Sequence, residues 1–141
     1  MKYIITERQY RLLTEEPEDI LEIPFKFFND DWDFLQEYLN MIGNPPYKLI
    51  GDLDLYGSDI KSLENLQSVG GWLYLRETNI KSLGNLQHVG GDLILRYSNI
   101  KYLGNLQSVG GYLNLTATPL SEKTTEEEIR KQVDVKGDIY L

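Results

Sequence analysis

Residues 51–70 read GDLDLYGSDIKSLENLQSVG, residues 71–90 read GWLYLRETNIKSLGNLQHVG, and residues 91–110 read GDLILRYSNIKYLGNLQSVG. The period is 20 residues without a gap; the second and third units share 14 of 20 residues, the first and second 12 of 20. A fourth unit opens as GYLNLTATPL at Gly111 and then departs, and GDIYL from Gly137 restores the motif after 26 residues. Self-similarity at such a period marks stacked units, each too small to offset alone the entropy of ordering it.

Within each unit G-x-L-x-L alternates as a strand does, so Leu53/Leu55, Leu73/Leu75, Leu93/Leu95, Leu113/Leu115 and Ile139 are expected to point inward. The aliphatics that follow (Ile60, Leu63, Leu66 and Val69 in the first unit, and their equivalents) form a return arm turned toward the same interior. The pairs Gly70–Gly71, Gly90–Gly91 and Gly110–Gly111 precede the strands, where a tight corner is expected to need conformations closed to other residues. The predicted class is α/β: a right-handed solenoid with a parallel β-sheet of about five strands, starting near 51, 71, 91, 111 and 137. A mainly helical N-terminal cap (1–50), the array (51–115), and a C-terminal cap helix plus last strand (116–141) make one folding unit.

The motif L-x-L-x-x-[ST]-x-I-x-x-L recurs in all three full units, and S-L-x-N-L-Q-x-V-G-G-x-L-x-L in the first two. On these residues, about 51–115, the chain resembles the leucine-rich repeat family and is similar to the receptor L domain and to short repeats of bacterial and phage proteins. Ser58, Thr78 and Ser98 stand where that family usually carries asparagine. The resemblance implies a parallel sheet on a concave side and a partner-binding role. The opening KYIITERQYRLLTEE is similar to the start of phage and marine bacterial proteins, which suggests a phage-encoded inhibitor or adaptor.

The flanks read as caps for the two apolar ends of the stack. Thr6 with Gln9 makes a capping box for a helix ending near Pro17. Asn29 or Asp30 is expected to cap a second helix with the apolar stripe Trp32, Leu35, Tyr38, Leu39 and Ile42, stopped by Gly43 and Asn-Pro-Pro. Ile23, Phe25, Phe27 and Phe28 supply covering core. Near the other end, Thr124 or Thr125 precedes EEEIRKQV, a helix with acids first and bases last.

The 141 residues carry a net charge of -8, no cysteine and one histidine, His88. This excludes a disulfide framework, thiolate chemistry and a multi-histidine metal site, so no cofactor or metal is expected. The acidity argues against nucleic acid and anionic membrane surfaces as partners. No apolar run suits a membrane span and MKYIITERQYR lacks a signal-peptide core, so the expected location is the cytoplasm, the host's if phage-encoded. Segment 1–50 has 10 acids and 5 bases, 51–115 has 6 and 5, and 116–141 has 6 and 4, so the array is nearly neutral.

The residues between the strand leucines face away from the core in three columns. They read Asp52, Trp72, Asp92, Tyr112, Asp138; then Asp54, Tyr74, Ile94, Asn114, Tyr140; then Tyr56, Arg76, Arg96, Thr116. Trp, Tyr and Arg are enriched at binding hot spots. A protein partner is therefore expected on the concave face, held by Trp72, Tyr74, Arg76, Arg96 and Tyr112 with Tyr56 and Ile94. The competing class is a carbohydrate-active enzyme or glycan binder using Asp52, Asp54 and Asp92 with Trp72 and Tyr112. With no histidine or lysine joining those carboxylates, a non-enzymatic role is preferred. Lys61, Lys81 and Lys101 read as a solvated row, the Asn65 and Gln67 columns as ladders for the return arm, and His88 as exposed. The last strand, with Ile139, Tyr140 and Leu141, presents an open edge expected to pair with another chain, a second copy included.

Overall fold

The L-x-L segments pair in parallel, in the expected register. In the computed structural model, which describes residues 20–141, β3 (Leu53–Asp54), β5 (Leu73–Tyr74), β7 (Leu93–Ile94), β9 (Leu113–Asn114) and β11 (Ile139–Tyr140) form a five-stranded sheet. Leu53, Leu73, Leu93, Leu113 and Ile139 occupy one row across it and are all buried. The helix expected between Thr6 and Pro17 lies outside the described residues.

A second parallel sheet corrects the expectation of one. The return arms are themselves strands: β4 (Leu66–Val69), β6 (His88–Val89), β8 (Ser108–Val109) and β10 (Asp134–Val135). Leu66, Leu86 and Leu106, with Val69, Val89 and Val109, are buried as expected, and the backbone between them is extended enough to pair. The Gln87 N–H donates to the Gln67 carbonyl at 2.8 Å and the Gln107 N–H to the Gln87 carbonyl at 2.7 Å. A 20-residue period that registers one ladder thereby registers the other.

This sheet extends into the N-terminal segment through β1 (Leu21–Pro24) and β2 (Tyr47–Ile50), giving six strands in the order β1-β2-β4-β6-β8-β10. The described part of that segment is thus strand, 3-10 turn (Phe25–Phe28), helix α1 (Trp32–Met41) and strand, rather than mainly helical. Ile23 and Phe25 join the core, Phe28 packs against it, and Phe27 is exposed. The cap of α1 is Asp31, whose Oδ1 accepts the Phe34 N–H at 3.1 Å, and not Asn29 or Asp30. Those two residues take left-handed conformations (φ 56 and 55) to turn the chain, which moves the helix start one residue on. Trp32, Leu35 and Leu39 bury the stripe of α1.

Helix α2 (Glu126–Gln132) starts at Thr125, which accepts the Glu128 N–H, and buries Ile129 against the last unit. Its Arg130 reaches past the helix end, donating to the carbonyls of Val135 at 2.7 Å and Gly137 at 2.9 Å. Arg130 thereby occupies two backbone carbonyls next to the last strands of the two sheets, a role the sequence did not suggest. Inside, residues of both sheets and both helices form one continuous apolar cluster. Among the described residues no helix is long and apolar enough to cross a membrane.

The paired glycines are required for a different reason than expected. None of the six has a positive φ. What they permit is close approach: a Cβ on Gly90 would stand 2.1 Å from the Gly70 carbonyl oxygen, and one on Gly110 would stand 2.0 Å from that of Gly90. Gly70, stacked on Ile50 instead, has nothing closer than 3.5 Å to such a Cβ.

Gly90→Ala and Gly110→Ala should therefore each cost about 1–3 kcal/mol in urea unfolding, because the backbones must separate. Gly70→Ala should be neutral or slightly stabilising; equal costs at all three positions would contradict this account. A second prediction concerns Tyr47, a buried phenol that accepts a hydrogen bond from Gln36 Nε2 at 3.0 Å. Burial raises its pKa well above the usual tyrosine value. The native state then holds a proton that the unfolded chain loses above pH about 10, so stability is full below that pH and falls above it. The urea midpoint of wild type should drop more steeply above pH about 10 than that of Tyr47→Phe, and parallel curves would refute the assignment.

Candidate functional site

All the residues of the expected surface lie on the outward face of the five-stranded sheet. Trp72, Tyr74, Arg76, Ile94, Arg96 and Tyr112 are half-buried, while Tyr56, on the edge strand side, is exposed. Trp72 lies against Tyr74 with ring centroids 4.2 Å apart, and Tyr112 meets Tyr140 edge-on at 5.7 Å. Cross-strand and same-strand aromatic packing thus fixes the floor of the surface. Burial raises the pKa of Tyr112, with the Asp92 carboxylate and the phenols of Tyr74 and Tyr140 adding to the effect.

The first outward column alternates Asp52, Trp72, Asp92, Tyr112, Asp138, and the alternation has a structural cause. Asp52 Oδ1 accepts the Trp72 N–H at 2.9 Å and Asp92 Oδ1 accepts the Tyr112 N–H at 2.9 Å. Each carboxylate lies over the glycine that precedes its N–H donor: a Cβ on Gly71 or Gly111 would stand 1.9 or 2.0 Å from the aspartate oxygen. Asp54 Oδ1 and Asn114 Oδ1 do related work within a strand end, accepting the N–H groups of Tyr56 and Thr116 at 3.0 Å. The three aspartates weighed for catalysis are thus all tied to backbone.

Asp52, Asp54 and Trp72 also line a groove of about 590 Å³ beneath the turn bearing Phe25, Lys26 and Asp30. Asp92 and Tyr112, the other members of the glycan set, do not line it. Lys26 was not singled out in the sequence and Asp30 was read only as a helix cap, because nothing in their spacing ties them to the sheet.

At the strand ends the third column is held by cation–π contacts. The Arg76 guanidinium carbon lies 5.5 Å from the ring centroids of both Tyr56 and Tyr97, and that of Arg96 lies 4.8 Å from Tyr97. Tyr97 was absent from the expected site. The only signal for it is its column, which reads Gly57, Glu77, Tyr97, Ala117.

Outside this face, Thr78 and Thr118 donate to the carbonyls of Leu75 and Leu115 at the strand exits, whereas Ser58 Oγ is buried without a partner. Asn85 donates to Asn65, and Asn65 to the Asn44 carbonyl, continuing the ladder into the cap. Lys61, Lys81 and Lys101 are exposed, as is His88, whose Nδ1 lies 2.7 Å from Ser108 Oγ. Ile139 is buried on β11, which among the described residues pairs with β9 alone, while Tyr140 and Leu141 are exposed. Among the described residues no cluster of histidine, aspartate and glutamate is placed to hold a metal ion.

No family model matches the chain, and no curated protein or solved structure matches it.

If Asp52 and Asp92 are braces between units, Asp52→Ala and Asp92→Ala should each lower stability by about 0.5–1.5 kcal/mol. The corresponding asparagine variants, which keep an acceptor oxygen, should retain most of it. Alanine variants as stable as wild type would remove the bracing role and return the carboxylates to the pool of free groups.

Proposed function

We propose that the chain is a leucine-rich-repeat-like solenoid acting as a non-enzymatic binding module, with a protein partner on the concave face of the five-stranded sheet. The observation that carries this reading is the contiguous set Trp72, Tyr74, Ile94, Tyr112, Arg76 and Arg96, held in register on neighbouring strands and open to solvent in part. Aromatic rings that are already packed lose little freedom when a partner covers them. The engagement of Asp52, Asp54 and Asp92 with backbone N–H groups favours binding over acid–base chemistry at those carboxylates.

Affinity capture from a lysate of the source cell, with quantitative mass spectrometry, tests it. A Trp72→Ala/Tyr74→Ala variant should keep the fold and lose the specific partner, with each truncation costing about 1–3 kcal/mol of affinity. A control with Lys61, Lys81 and Lys101 changed to glutamine should capture as wild type does. Loss of the partner in the lysine variant, with retention in the aromatic one, would place binding on another face.

A further inference from the structure

We infer that Arg76, Tyr97 and Arg96 form a preorganised fork for carboxylates, and that the partner segment lying on this sheet is acidic. This rests on the reading of the sheet face as a partner surface and adds the chemistry of the partner.

The first observation is which side chain occupies a left-handed corner of the repeat. Tyr97 has φ 62, in the left-handed region that is uncommon for non-glycine residues and an outlier for bulky ones. All four residues of this column share that conformation, Gly57 at φ 67 and Glu77 and Ala117 at φ 58, so the corner belongs to the repeat and tyrosine is its bulkiest occupant. The ring is not there for the core, since Tyr97 is 45% exposed.

What the ring does is hold two cations. It lies 5.5 Å from the Arg76 guanidinium and 4.8 Å from that of Arg96, and its hydroxyl accepts from Arg96 Nη2 at 3.0 Å. Tyr56 covers Arg76 as well. The Nε atoms of both arginines are shielded from solvent without a hydrogen-bond acceptor. Glu77 stands 3.6 Å from Arg76, and among the described residues no acid pairs with Arg96. Arg96 is therefore stacked on a π-face without an acidic partner, and Arg76 lies between two π-faces beside Glu77, on neighbouring strands about 4.8 Å apart.

That geometry suits carboxylates. Planar guanidiniums fixed by stacking keep their edge donors aligned for a bidentate acceptor. A chain of net charge -8 repels polyanions at long range. The match is thus an extended peptide with one or two acidic side chains at the fork and an apolar residue over Trp72, Tyr74 and Ile94.

The test is selection of a display library of random linear peptides on the full chain. Peptides recovered on wild type should be enriched in Asp and Glu over the unselected library. They should bind Arg76→Gln/Arg96→Gln about tenfold or more weakly, and the double lysine variant should fall between. Tyr97→Gly relieves the strained φ, so it should fold at least as well as wild type and still lose the acidic preference. Peptides without acidic enrichment that need Trp72 and Tyr74 would overturn the fork and leave the sheet-face reading intact. Unchanged binding to Tyr97→Gly would also overturn the fork, reducing Tyr97 to a packing residue. Peptides indifferent to Trp72→Ala/Tyr74→Ala would sink the sheet-face reading itself.

Discussion

The distance between the backbones of Gly90 and Gly110, and of Gly70 and Gly90, governs this molecule. There the main chains of successive units stack so closely that a single added carbon would stand about 2 Å from a carbonyl oxygen. The corner so formed lies between the two parallel ladders. On one side the Gly90 and Gly110 N–H groups donate to Val69 and Val89 at 2.8 Å; on the other the Leu73 and Leu93 N–H groups donate to Asp92 and Tyr112 at 2.9 Å. One spacing at the corner thus sets the spacing of both sheets, and with it the alignment of every outward column.

The alternation of L-x-L made the five-stranded sheet legible because its side-chain period is that of a strand. The return arm was less legible. Its buried residues Leu66 and Val69 are three apart with half-buried Gln67 and Ser68 between them, a spacing that fits no simple strand template. Strands β1 and β2 were hidden for a related reason, as LEIP ends in proline and YKLI follows a pair of prolines. The glycine pairs were visible, but sequence cannot distinguish a glycine required by its φ from one required by its neighbour 20 residues away.

The same distinction runs through the surface. Trp72, Tyr74, Arg76, Arg96 and Tyr112 could be read from their columns, because strand geometry alone sends them outward. The bracing by Asp52 and Asp92 could not, since it depends on a hydrogen bond to the following unit. Nor could Tyr97, whose part depends on a left-handed backbone that only Gly57 in the same column hints at. The five-stranded sheet, whose strands are two residues long, nevertheless positions large side chains well: buried aliphatics anchor each strand on one face while aromatic and guanidinium stacking holds the other.

The alternation of aspartate and aromatic residue along the first column carries a consequence for how such a chain can lengthen. Chemically the array repeats every second unit, an aspartate on one strand bracing an aromatic residue on the next. Duplicating a single aspartate-bearing unit would set two carboxylates on adjacent strands about 4.8 Å apart, and like charges directly opposite each other are destabilising. Duplicating a pair preserves every neighbour relation. The genetic step that extends this architecture without penalty is therefore a doublet, and its length would be counted in twos.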